Sequence, residues 1–81
     1  MKIKIKAFAS VKDLCGFSER VFDLPERATA ADAVRKLEQE CGQGVVGLDY
    51  LLLAVNEEYC RGERVLAEND VLALFPPVSG G

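Results

Sequence analysis

Apolar and polar residues alternate over Lys2-Ile3-Lys4-Ile5-Lys6-Ala7-Phe8, so Ile3, Ile5 and Ala7 share one face of a strand and the lysines share the other. The same parity puts Phe8 on the lysine face, as an exposed aromatic unless the strand bends there. Residues 10–16 suit a short helical turn, with Ser10 as a possible N-cap and Gly16 closing it. Alternation returns over residues 19–24, where Phe22 and Leu24 point together and Pro25 ends the run, giving a hairpin-like pair with the first strand. Thr29-Ala30-Ala31-Asp32 then has the form of a helix start: Thr29 is the N-cap and Asp32, three residues on, reaches back to free N–H groups. Ala30, Val34, Leu37 and Cys41 follow at helical spacing, and Gly42 is placed to end the helix.

Residues 51–55 are a continuous apolar run of strand length, Asn56-Glu57-Glu58 reads as a turn, and Tyr59-Cys60-Arg61 as a short returning strand. The last strand spans residues 71–75. If Leu72 and Leu74 face the helix, Val71, Ala73 and Phe75 face the other way, and a second large aromatic stands on the open side of the sheet. The Gly-rich connection at 42–47 follows a helix and lacks the Lys-Ser/Thr pair of a phosphate cradle, so it reads as a loop. The element order predicts an α+β roll, one main helix across a mixed sheet of about five strands.

Composition narrows the chemistry. With 81 residues, 49% hydrophobic and 28% charged, the chain is expected to form a single globular domain over 1–81. A net charge of -3 with no basic cluster among aromatics argues against nucleic-acid binding. The longest apolar run, 50–55, is far short of a membrane span, and Met1 leads straight into a strand pattern, so the expected location is the cytoplasm, with no membrane partner. Cys15, Cys41 and Cys60 are odd in number and widely spaced, which suits buried thiols better than a disulfide framework, a metal site or a reactive sulfur nucleophile. The absence of His removes Ser-His-Asp and Cys-His catalysis. Acidic residues dominate 56–70, where Glu57, Glu58, Glu63, Glu68 and Asp70 outnumber Arg61 and Arg64, and that field could steer the following segment toward a basic pocket.

That segment is the strongest signal. An apolar strand runs directly into Phe75-Pro76-Pro77-Val78-Ser79-Gly80-Gly81. The prolines fix φ and remove N–H donors, which stiffens the base of a tail at 76–81. The two glycines lack Cβ atoms and are slim enough to thread a narrow channel in another protein.

Together these residues resemble a known family. The pattern is similar to the ubiquitin-like β-grasp, with first and last strands parallel at the sheet centre, and more narrowly to the small, sulfur-carrying subunit of molybdopterin synthase. The resemblance rests on Phe8-Ala9, Val11-Lys12-Asp13-Leu14-Cys15-Gly16, the helix, Ala54-Val55-Asn56 and above all the run from Asp70 through the Phe-Pro-Pro-Val-Ser-Gly-Gly ending. It implies that the Gly81 carboxylate, carried on Gly80, is joined to AMP from ATP by a ubiquitin-activating-like adenylyltransferase and converted by a sulfur donor to a thiocarboxylate. Sulfur then passes to cyclic pyranopterin monophosphate in the active site of the large synthase subunit, in a heterotetramer. No cofactor is expected on the chain itself; ATP is used by the activating enzyme. The resemblance further implies docking through Phe8, Tyr59 and Phe75, with Pro76, Pro77, Val78 and Ser79 entering the partner. Three alternatives share the fold: a carrier for thiamin or tRNA thiolation, a modifier joined to lysines, and a plain β-grasp binding module with inert glycines.

Overall fold

The computed structural model describes residues 1–41 and 51–76. The N-terminal alternation forms β1 (Lys2–Ala7), with Ile3, Ile5 and Ala7 buried. β2 (Glu19–Asp23) pairs with it antiparallel, from Lys2↔Asp23 to Lys6↔Glu19, and buries Phe22 on the same side. Between them lies α1 (Ala9–Cys15), closed by Gly16 at φ 80, a left-handed position that glycine occupies without the Cβ penalty. The start of α1 differs from the expected Ser10 cap. Phe8 is the N-cap, without a side-chain cap bond, and Ala9 at φ 50 turns the chain sharply out of the strand. The Phe8 carbonyl then accepts from the N–H groups of Val11 and Lys12 at 3.1 and 3.3 Å.

The main helix, α2 (Ala30–Cys41), begins as the sequence predicts. Thr29 N–H donates to Asp32 Oδ2 at 2.9 Å and Asp32 N–H donates to Thr29 Oγ1 at 3.2 Å. These bonds, with the Arg35 guanidinium nearby, hold the Asp32 carboxyl below its ordinary pKa. The next two donors of the helix are met by the loop after the sheet's last hairpin: Ala30 N–H reaches Arg64 O and Ala31 N–H reaches Gly62 O, both at 2.9 Å. All four N–H groups from Thr29 to Asp32 are therefore met by protein acceptors.

β3 (Leu52–Val55) and β4 (Glu58–Cys60) form a tight hairpin, Val55 opposite Glu58. The turn is shorter than the sequence suggests. Only Asn56 and Glu57 make it, at φ 51 and 71, while Glu58 belongs to the strand and Arg61 lies outside it. Two consecutive left-handed residues match the twist of the strands they join, which is why two-residue hairpins favour them.

β5 (Val71–Phe75) completes the sheet in the order β2-β1-β5-β3-β4, parallel to β1 and antiparallel to β3. The first and last strands thus pair side by side, as the resemblance implies. Ile3, Ile5, Leu72 and Leu74 from this pair meet Val34 and Leu37 of α2 with no measurable exposure. Burying each such side chain contributes about 1.5 to 3 kcal/mol relative to leaving it in water.

Candidate functional site

On the side of the sheet away from α2, register fixes a row of side chains: Glu19, Lys6, Ala73, Ala54, Tyr59, each opposite the next. The two central members are alanines, so the row sinks between Lys6 and Tyr59. Ala54 is buried at its floor. The result is a trough of about 510 Å³, bounded also by Phe8, Phe75, Asn56, Glu57 and Val71.

Aromatic rings close one end of this trough. Phe8 and Phe75 stack with centroids 4.7 Å apart and planes 9° from parallel, and Tyr59 leans on Phe75 at 6.4 Å and 54°. Phe8 keeps 40% and Tyr59 72% of their surface exposed, whereas the stack leaves Phe75 half-buried. Both phenylalanines lie on the open face as parity predicts, but Phe75 is half-buried rather than exposed. The Ala9 turn accounts for the stack: β1 continues its ladder through Phe8 N–H to Leu74 O at 3.2 Å, then the chain swings away and leaves the ring lying on Phe75. The same strand that carries Phe75 passes directly to Pro76, which is half-buried. Pro77, Val78, Ser79, Gly80 and Gly81 lie outside the described residues, as do Gly42 and the Gly-rich stretch 42–47 that the sequence reads as a loop.

The opposite end of the trough is held by hydrogen bonds. Asn56 accepts at Oδ1 from Val71 N–H (3.0 Å), donates its backbone N–H to Val71 O (2.8 Å), and donates from Nδ2 to Asp70 Oδ1 (2.8 Å). Asp70 Oδ2 also accepts from Ala67 N–H at 2.8 Å. Asn56 tolerates its left-handed φ, and its amide ties the hairpin to the entrance of β5. Sequence reasoning assigned Asn56 and Asp70 to a turn and an acidic stretch and missed this clamp.

Several of the acidic groups at 56–70 have structural employment. Glu58 pairs with Arg64 at 2.9 Å, and both Glu68 carboxylate oxygens accept from Lys2 N–H at 3.2 Å. Cys15 and Cys60 are not disulfide-bonded and are half-buried rather than buried. Burial pushes the Cys60 thiol above its ordinary pKa, the opposite of what a thiolate nucleophile needs. No helix among the described residues is long and apolar enough to cross a membrane.

A mixed sheet grasping one main helix, with first and last strands paired and an aromatic face at the root of the C-terminal segment, defines a ubiquitin-like β-grasp protein. The chain belongs to the ThiS family, whose model matches residues 5–81. It is 39% identical to the molybdopterin synthase sulfur carrier subunit of Dictyostelium discoideum, over 99% of this chain and 96% of that protein. Among solved structures it is similar to a putative molybdopterin converting factor, subunit 1, from Pyrococcus furiosus, with a TM-score of 0.80, 30% identity and 96% and 99% of the two chains covered. It is also similar to the H. volcanii small archaeal modifier protein 1, with a TM-score of 0.80, 27% identity and 95% and 98% coverage.

Proposed function

We propose that this chain is the sulfur carrier of a molybdopterin synthase, acting through the Gly81 carboxylate in the cytoplasm. The observation that carries this reading is the placement of Phe8, Phe75 and Tyr59 around the strand that delivers the Phe-Pro-Pro-Val-Ser-Gly-Gly segment, so that docking and delivery share one origin. The related proteins' names supply the pathway.

Chemically, a carboxylate is a poor electrophile, and joining it to AMP gives a mixed anhydride with a good leaving group. The carboxylate oxygen attacks the α-phosphorus of ATP in the adenylyltransferase and pyrophosphate departs. A sulfur nucleophile from the donor then displaces AMP, leaving one oxygen of Gly81 replaced by sulfur. The loaded tail enters the large subunit, where the thiocarboxylate sulfur attacks a carbon of cyclic pyranopterin monophosphate to give a thioester. Water then cleaves the acyl C–S bond, leaving sulfur on the pterin and a carboxylate on Gly81, and two such transfers build the dithiolene that later holds molybdenum. Two carriers per product fit a heterotetramer of two small and two large subunits. Acid-base groups come from the partner, since this chain has no His and its raised Cys60 thiol is poorly suited to the task.

Incubation with ATP, a sulfur donor and the activating enzyme, followed by intact mass measurement, should show oxygen exchanged for sulfur at Gly81. An unchanged mass, with the activating enzyme proven active on its own substrate, would sink the proposal. A second reading, a modifier joined through Gly81 to lysine amines, is favoured by the likeness to the archaeal modifier. A deletion strain separates the two: loss of the dithiolene product supports the carrier, loss of lysine conjugates the modifier.

A further inference from the structure

The lysines on the open face of the sheet are not equivalent. Lys2 pairs with Asp23 at 2.8 Å and Lys4 with Glu19 at 3.9 Å, whereas Lys6 makes no ion pair among the described residues. Glu19 faces Lys6 across the β1–β2 ladder, yet its carboxylate lies toward Lys4. Lys6 instead lines the trough beside Phe8, Ala73 and Phe75. At the β3–β4 turn, Glu57 lines the same trough and also lacks a pairing partner among the described residues. Lys6 stands on β1 and Glu57 in the turn beyond β3, with β5 between those strands, so the two charges are roughly 10 Å or more apart, given about 4.8 Å between neighbouring strands.

We infer that Lys6 and Glu57 are specificity-determining charges of the docking face, which fits a partner surface presenting a carboxylate opposite Lys6 and a basic side chain opposite Glu57. This inference rests on the docking reading above and names the chemistry the large subunit must offer there. An aromatic cluster alone is non-directional, because apolar burial is insensitive to rotation of the partner about the contact. A positive and a negative pole on opposite sides of an apolar depression define one orientation and penalise the reversed one through like-charge contacts. Orientation matters here because Pro76 leaves from the aromatic end, so a rotated partner would receive the tail in the wrong direction. The trough is narrow and partly desolvated once covered, which strengthens both contacts relative to open water.

The test uses the full chain and the purified large subunit, with affinity and association rate measured at low and high salt. Lys6→Glu and Glu57→Lys should each weaken binding on the order of tenfold at low ionic strength, mostly through association rate, and the loss should shrink as salt rises. Both positions are exposed to solvent or partly so and both substitutions keep an L side chain at the same φ, so thermal melting should stay near that of the parent. Phe8→Ala is the control. If Phe8→Ala abolishes binding while both charge reversals leave it within twofold at low salt, the charge assignment is overturned and the docking face survives. If Phe8→Ala and the reversals alike leave binding unchanged, the docking reading itself is lost.

Discussion

The two faces of the sheet are built from the same strands and do opposite work. Toward α2, the even-handed alternation of β1 and β5 supplies Ile3, Ile5, Leu72 and Leu74, all without measurable exposure. Away from α2, the intervening positions supply Lys6, Ala73 and Phe75, which line an open trough. A one-residue step along a strand therefore separates residues that hold the fold from residues available for recognition. The comparison teaches that stability and binding can be altered almost independently, provided the substitution respects parity.

The largest expected effect falls on the inner face. Leu72→Ala removes a fully buried side chain from the central strand and should cost about 2 to 5 kcal/mol, read as a lower urea midpoint. A loss below about 1 kcal/mol would mean that the strand is not central to the core. On the outer face the ranking reverses. Phe75→Ala should weaken capture by the large subunit by about 2 kcal/mol or more, while costing the fold only about 1 kcal/mol from the lost stack with Phe8. Equal losses in both assays would erase the contrast between faces.

Removing Gly80 and Gly81 sharpens the comparison differently. Burying the three aromatic side chains contributes roughly 5 to 8 kcal/mol before association costs of at least about 4, so the aromatic face alone binds weakly. The truncated chain should melt like the parent, bind the large subunit more weakly and transfer no sulfur; unchanged affinity in titration calorimetry would remove the tail from the binding energetics. Smaller again is Thr29→Ala, which deletes half of the helix cap and should cost about 1 kcal/mol without touching the trough.

The smallest effect concerns acid. The bonds from Thr29 hold Asp32 below its ordinary value of 3.8, and the Lys2 ammonium does the same for Asp23. A carboxyl whose folded pKa is depressed contributes its stability above the unfolded value and loses it as pH falls through the folded one. Urea midpoints should therefore decline on acidification below about pH 4, and Asp32→Asn should flatten part of that slope. An unaltered slope in that variant would assign the acid sensitivity to other groups.

Much of this architecture is legible in the sequence because its main signals are local. Alternation in β1, the short apolar run of β5 and the reciprocal Thr29–Asp32 cap each depend on neighbours within a few positions. The features that were not legible depend on pairing across the sheet. Ala54 and Ala73 are bland residues until register sets them side by side, and only then do they make a floor. Lys6 looks like Lys2 and Lys4 until the acidic partners are assigned. The helix start was misread because Ser10 is a good cap by composition, whereas the chain turns one residue earlier, at Ala9. The hairpin was misread by one position because neither Asn56 nor Glu57 is glycine, the usual mark of a two-residue turn. The positions most directly tied to the proposed chemistry, Gly80 and Gly81, were found from sequence and lie outside the described residues.

Placing β5 in the middle of the sheet also constrains biosynthesis. On the ribosome, β2-β1 and β3-β4 emerge as two separate ladders, and no strand pairs with both until Val71–Phe75 clears the exit tunnel. A prematurely terminated product would lack the bridging strand, half of the aromatic stack and the Pro-Pro-Val-Ser-Gly-Gly sequence together. Such a fragment would lack the strand that pairs with both ladders and, on the docking reading proposed above, should not compete with the finished protein for its partner.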